Sequence, residues 1–196
     1  MRNRILIICL LAICVTLAGC SQLPPEQAAD GLAWDESWVT VGSVLGVDTP
    51  EGWTPRENND ALAANGMYYA TWSAGEAVPY VNEDGEDAEL YDAQVYILLA
   101  GYDAAEKAGE AMEKWLAMAE SQYAVTGTYT GDYNGQTFTV LTYTYDSESN
   151  PYARGASAFG VYRNYAVSVE LSCRDGFAGD ERELLEAFLQ NCHYGA

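Results

Sequence analysis

The stretch "GDYNGQTFTVLTYTY", residues 131–145, decides the fold. Its Asn134-Gly135 dipeptide is typical of a two-residue turn between antiparallel strands. The residues after the turn alternate in a period of two, which places Tyr143 and Tyr145 on the same face of a strand. The stretch therefore predicts a β-hairpin with a tyrosine-bearing second arm.

The chain continues in the same pattern toward its C-terminus. The loop "YDSESNPYARG" leads to "ASAFGVYR", and Arg163-Asn164 forms a tight turn to "YAVSVELSC". In the last strand, apolar residues alternate onto one face and Glu170 falls on the other. Asp180 is then predicted to cap a C-terminal helix. The second half of the chain thus predicts an antiparallel meander followed by a helix.

Upstream of the hairpin, the sequence predicts further strands and one long helix. "GMYYATW" (66–72) and "AQVYILLAGY" (93–102) have the composition of strands, separated by a short edge strand and an acidic loop. "DAAEKAGEAMEKWLAMAESQY" (103–123) is the helix, with Asp103 as N-cap and Glu106 completing a capping box. The predicted fold class is α+β, an antiparallel β-sheet with a long helix and a C-terminal helix packed on it.

The N-terminus predicts export from the cytoplasm. Arg2 and Arg4 precede an apolar run from Ile5 to Ala18, and the small residue Gly19 follows. This order matches the three regions of a secretory signal peptide. The run is short of the roughly 20 apolar residues that a transmembrane helix needs.

"LAGC", Leu17 to Cys20, resembles the lipobox of bacterial lipoproteins. The resemblance implies that the signal, residues 1–19, is removed and that Cys20 carries diacylglycerol and fatty acids such as palmitate. Residues 20–33 would then be a flexible tether, and residues 34–196 a single α+β globular domain. We expect a lipid-anchored protein on the extracytoplasmic face of a membrane, with inner and outer membrane both open. A signal peptide with a chance cysteine is the alternative.

The charge of the chain excludes one class of partner. Loss of Arg2 and Arg4 with the signal leaves 7 basic residues against 29 acidic ones, a formal charge of −22. Nucleic-acid binding depends on Lys and Arg that neutralise phosphates, so no nucleic-acid partner is expected. An acidic domain is also repelled by anionic lipid.

Cys173 and Cys192 are the cysteines that remain after export and lipidation. Cys173 lies on the apolar face of its strand, and Cys192 lies on the apolar stripe of the C-terminal helix. Because an exported pair of cysteines is commonly oxidised, a disulfide is expected between them. Two buried free thiols are the alternative.

The element order resembles the PsbP-like α/β/α sandwich found in some bacterial lipoproteins. The residues that carry the resemblance are an extended segment into "TPEGW", the strand and helix at 93–123, and "YNG…TFTVLTYTY…ASAFGVYRNYAVSVEL". The resemblance implies assembly or binding subunits more than enzymes, and it carries over no catalytic set.

Two features could bind a ligand. The chain has 15 tyrosines, and Tyr143, Tyr145 and Tyr162 could form an exposed aromatic face for carbohydrate. Packing of these rings under the long helix is the alternative. Two acidic loops could bind calcium through oxygen atoms, although neither matches the EF-hand pattern. Their candidate ligands are Glu83, Asp84, Glu86 and Asp87 in one loop, and Asp146, Glu148 and Asn150 in the other.

Little in the sequence points to catalysis. His193, the single histidine, lies near the C-terminus, and no nucleophile motif accompanies it. Cofactors are not expected, apart from calcium in the acidic loops. The sequence therefore predicts a non-catalytic binding or accessory subunit with an envelope protein as partner. A carbohydrate- or calcium-binding module is the second hypothesis, and a hydrolase with paired carboxylates is the third.

Overall fold

The structure is a computed structural model that describes residues 37–42, 44–59, 63–81, 85, 87–145 and 150–195. The predicted signal peptide, Cys20 and the tether lie outside the described residues. No helix in the described part of the chain is long and apolar enough to cross a membrane.

The described residues form ten strands, two α-helices and one short 3₁₀ helix at Ala63–Asn65. The predicted α+β class is confirmed, with more of the chain in strands than expected. The strands are β1 (Val39–Val41), β2 (Leu45–Val47), β3 (Thr54–Asn59), β4 (Met67–Val81), β5 (Asp87–Gly101), β6 (Ala124–Tyr133), β7 (Gln136–Thr144), β8 (Arg154–Tyr162), β9 (Tyr165–Cys173) and β10 (Cys192–Tyr194). The helices are α1 (Ala105–Gln122) and α2 (Glu181–Gln190).

Seven strands form one antiparallel sheet in the order β3-β4-β5-β9-β8-β7-β6. The predicted meander is confirmed as β6 to β9. Asn134 and Gly135 form the turn between β6 and β7 with φ of 49° and 79°, the left-handed geometry that a type I′ hairpin requires. Arg163, with φ of 54°, lies in the tight turn between β8 and β9.

The sheet is buried on both faces by different elements. One face packs against α2 and a small sheet of order β1-β2-β10, around Trp72, Leu171 and Phe188. The other face packs against α1, whose Trp115 lies over β8 and β9 with Leu98 and Phe159. The alternation within β9 explains this division: its odd-numbered residues face α2, and its even-numbered residues face α1.

The two predicted helix caps have different outcomes. Asp180 is confirmed as the cap of α2, because its Oδ1 accepts hydrogen bonds from the backbone N–H groups of Arg182 (3.0 Å) and Glu183 (3.2 Å). The cap predicted for α1 is wrong. Ala104 occupies that position without a side-chain hydrogen bond. Asp103 instead pairs with the Lys107 ammonium at 2.5 Å.

The expected disulfide is also absent, since Cys173 and Cys192 are both buried free thiols. Both side chains enter the core, as predicted, but the placement of Cys192 on the C-terminal helix is wrong, because α2 ends at Gln190. They reach it from different sheets, however, because Cys173 ends β9 opposite Ala93 and Cys192 begins β10 opposite Val47. A shared core does not bring the sulfur atoms into bonding contact. Burial raises the pKa of Cys173 to about 11 and that of Cys192 to about 12, so both stay protonated.

Candidate functional site

The tyrosines proposed as a carbohydrate-binding face pack inside the protein. Tyr143 is 1% exposed and lies in the core between α1 and the sheet. Tyr123, at the C-terminal end of α1, stacks on it with ring centroids 4.1 Å apart and planes 14° from parallel. The prediction of an exposed ligand face is therefore wrong, because the helix covers the ring that a sugar would need. The alternative, packing under the long helix, is the observed arrangement.

Tyr145 shares the face of Tyr143, as the alternation predicted, and its ring meets that of Tyr143 edge-on at 5.5 Å. Each hydroxyl has a partner on another strand: Tyr143 bonds Ser157 on the adjacent β8 at 2.9 Å, and Tyr145 bonds Ser172 on β9, one strand further, at 2.6 Å. A buried hydroxyl that is paired in this way stabilises the fold and offers no free group to a ligand.

Tyr162 does not belong to this group. It lies on the opposite face of the sheet, 8% exposed, in the core beneath α2. Its ring centroid is 5.0 Å from that of Tyr194 in β10. The expected three-tyrosine face is therefore split by the sheet, because Tyr162 is an even-numbered residue of β8 and its even-numbered neighbours Ala156 and Ala158 also face α2.

Glu170 is a half-buried carboxyl group that lies between α1 and the sheet. It lines a cavity of about 10 Å³, which is room for about one water molecule. The other lining residues belong to the last turns of α1, with Phe159 from β8: Trp115, Met118, Ala119, Gln122, Tyr123 and Phe159. Such a cavity is too small for a sugar or a peptide side chain.

Burial raises the pKa of Glu170 to about 7, and the hydroxyl of Ser168, which donates to its Oε1 at 3.0 Å, opposes the shift. The last turn of α1, which lines the same cavity, carries no basic residue that could pair with the carboxylate. One sequence signal indicates this group: Glu170 is the single charged residue of "YAVSVELSC" and falls on the face opposite the alternating apolar residues.

The calcium loops cannot be assembled from the described residues. Glu83, Asp84, Glu86, Asp146 and Glu148 lie outside them. Asp87 is exposed, and the side-chain oxygen of Asn150 accepts a hydrogen bond from the backbone N–H of Tyr152 at 2.9 Å. The described part of the chain holds no cluster of three or more His, Cys, Asp or Glu side chains with metal-binding geometry. Calcium binding stays a prediction.

A two-stranded ribbon lies where the sequence predicted only a short edge strand and a loop. The hairpin of β4 and β5 continues past the sheet, with Ala77–Val81 paired to Asp87–Tyr91. The neighbouring strands end earlier, since β3 pairs only as far as Ser73 and β9 only as far as Ala93. We call these two five-residue arms the ribbon. At its base, Asp92 pairs with Arg174 at 3.0 Å.

Comparison with known proteins finds solved structures of similar fold and no family. No protein-family model matches the chain, and no curated protein matches it. A crystal structure from Bacteroides thetaiotaomicron is similar over 80% of this chain, with 12% identity and a TM-score of 0.48; the chain spans 47% of its length. The solution structure of cyanobacterial PsbP (CyanoP) from Synechocystis is similar over 76% of this chain and 86% of its own, with 12% identity and a TM-score of 0.44. At these values neither similarity assigns a function.

Proposed function

We propose that this protein is a membrane-anchored, extracytoplasmic lipoprotein that serves as a non-catalytic binding or accessory subunit at the cell envelope. The observation that carries the proposal is Cys20, which ends "LAGC" directly after an apolar run too short to span a bilayer. Two or more acyl chains on one residue provide a stable anchor, whereas one chain does not.

The position of the lipid fits a domain that works away from the bilayer. The segment from Cys20 to Ser37 can span at most about 60 Å when extended. The formal charge of −22 opposes contact with anionic headgroups, so the tether and the charge both hold the domain off the membrane. Tyr143, Tyr145, Tyr162 and Glu170 are hydrogen-bonded or covered by other elements, so they offer no open ligand site. The ribbon extends beyond the sheet, and its open position favours a binding role for that surface.

Metabolic labelling with an alkyne analogue of palmitate tests the anchor. The full chain and Cys14→Ala, which makes the same substitution within the apolar run, should both take up the label. Cys20→Ala should take up none, because the sulfur that accepts the diacylglycerol is removed. Label on Cys20→Ala, or none on the unsubstituted chain, would overturn the proposal.

A photo-crosslinking residue placed at Val81, which is 58% exposed, tests the binding role in cells. A discrete adduct is expected from Val81, and none from the same residue placed at Glu113 on the exposed face of α1. Equal adducts from both positions would indicate random collisions and count against a specific partner.

A further inference from the structure

We propose that the outer edge of the ribbon's second arm, Asp87–Tyr91, binds an extended, Lys- or Arg-rich segment of a partner protein by β-strand addition. This inference rests on the proposed binding role and names its surface and its partner chemistry. Strand addition needs an unpaired strand edge with free backbone N–H and C=O groups, and side chains that select the incoming strand.

The second arm provides the backbone edge. Its inner edge pairs with Ala77–Val81 in an unbroken register. On the outer side, β9 ends opposite Ala93, and the last backbone contact from that direction is the N–H of Arg174 to the carbonyl of Asp92, at 2.8 Å. Within the described ranges, no strand pairs with the outer edge of Asp87–Tyr91. An incoming strand there would continue the line that β9 occupies along the sheet.

The other edges of the sheet are less suited to strand addition. β3 contains Pro55 and a shift in register between Pro55 and Glu57, and β6 has a shift between Val125 and Gly127. The first arm of the ribbon contains Pro79, which has no N–H to donate. Proline and bulges are features that protect edges from pairing. Asp87–Tyr91 contains no proline, no glycine and no break in register.

The negative charge on and around the second arm favours a basic partner strand. Asp87 and Glu89 lie on one face of the arm and are exposed, with Glu89 also accepting a hydrogen bond from the hydroxyl of Tyr91. From Glu57 to Glu106 the sequence has 11 acidic residues and no Lys, Arg or His, although the guanidinium of Arg56 lies over the ring of Tyr91, 4.5 Å from its centroid. A second copy of this chain would place like charges opposite one another, which destabilises a strand pair. A strand that carries Lys or Arg would instead place opposite charges next to Asp87 and Glu89, which stabilises the strand pair.

Hydrogen exchange of the purified full chain, measured by mass spectrometry with defined peptides, tests the proposal. The probe is an alternating lysine–valine octapeptide. Its charge-matched control has proline in place of two valines, and a glutamate–valine octapeptide reverses the charge. Salt of about 0.15 M screens charges beyond about 8 Å, which limits attraction by net charge alone.

The lysine–valine peptide should slow exchange of residues 87–91 about tenfold, the factor expected for about 1.4 kcal/mol of added protection. The proline-containing and acidic peptides should leave it unchanged. Asp87→Lys combined with Glu89→Lys should abolish the protection. Glu110→Lys combined with Glu113→Lys, the same charge change on exposed positions of α1, should preserve it.

Three results would overturn the proposal: no protection by the lysine–valine peptide, equal protection by the proline-containing peptide, or protection that moves to β3 or β6. Equal loss of protection in the α1 variant would assign the effect to net charge and overturn it as well. These outcomes are distinct from failure of the proposed function. Lipidation at Cys20 and an adduct at Val81 would persist if only strand addition is wrong.

Discussion

Tyr123 stacks on Tyr143 with ring centroids 4.1 Å apart, and this contact joins the end of α1 to β7, the second strand of the meander. It explains why a tyrosine-rich sheet here is a packing surface. The two rings cover each other, and the hydroxyl of Tyr143 is bonded to Ser157 at 2.9 Å on the next strand. Tyr143 therefore stabilises the fold through both its ring and its hydroxyl.

Substitution of Tyr143 separates those two contributions. Tyr143→Phe keeps the ring but leaves Ser157, which is fully buried, without that partner, and we expect a loss of about 1 kcal/mol in the free energy of unfolding. Tyr143→Ala also removes the stacked ring and should cost about 3–5 kcal/mol, as large-to-small core substitutions do. Urea denaturation of the two variants measures the difference. Equal, small losses would contradict the buried position of the ring.

The pKa of Glu170 gives the protein a pH-dependent stability. The folded state raises that pKa from 4.5 to about 7, so between these values the folded state holds a proton that the unfolded state has released. The free energy of unfolding should therefore fall as the pH rises through this window, by on the order of 3 kcal/mol. The nearby Tyr123, Tyr143 and Tyr145 stay neutral there, because burial raises their pKa values still further.

Glu170→Gln isolates this contribution, since an amide resembles the protonated acid and does not titrate. The free energy of unfolding of Glu170→Gln relative to the unsubstituted protein should rise between pH 4.5 and 8. Chemical denaturation at several pH values measures that difference. A constant difference across the range would show that Glu170 ionises normally in the folded state.

Asn134 joins the hairpin turn to the C-terminal segment. Its side-chain amide donates to the carbonyl oxygens of Gln190 (2.7 Å) and Cys192 (2.8 Å) while its own φ is 49°. Asn134→Gly tolerates that φ and loses only the hydrogen bonds, at an expected cost of about 1–3 kcal/mol. Asn134→Ala adds backbone strain and should be less stable than the glycine variant. The reverse order by thermal denaturation would contradict this geometry.

Cys173 and Cys192 provide a test of the thiol state. Because both are buried and their pKa values are raised, iodoacetamide should modify neither in the folded protein. In denaturant without reductant, iodoacetamide should modify both thiols, and the intact mass should show two added carbamidomethyl groups on these cysteines. Modification that requires a reductant would show a disulfide and would contradict the structure.

The sequence predicts most of the fold because its strong signals are local. Asn134-Gly135 and the alternation in 165–173 need no information from the rest of the chain, and both are confirmed. The predictions that were wrong depend on tertiary contacts. Alternation shows that Tyr143 and Tyr145 share a face, but it does not show that α1 covers it. Periodicity likewise places Cys173 and Cys192 in one core, but it does not indicate how far apart their sulfur atoms lie.

The sequence predicts a shorter strand and a loop in place of the ribbon, and the reason is different. Glycine, proline and acidic residues in "AGEAVPYVNEDGEDAELYD" are rare in strands, so local propensity indicates a loop. Cross-strand pairing of Val78 with Leu90 and of Tyr80 with Ala88 outweighs that propensity. Glycine also fits the point where the hairpin leaves the sheet, because Gly75 has φ of 82° and lies against Asp92, where a Cβ would collide.

The most direct test of the central proposal, a lipid-anchored envelope protein, is the intact mass of the chain extracted from bacterial membranes with detergent. We predict a chain that begins at Cys20 and carries the added mass of a diacylglyceryl group, with or without a further acyl chain. A chain that begins at Met1, or one that begins near Cys20 without lipid, would contradict the proposal.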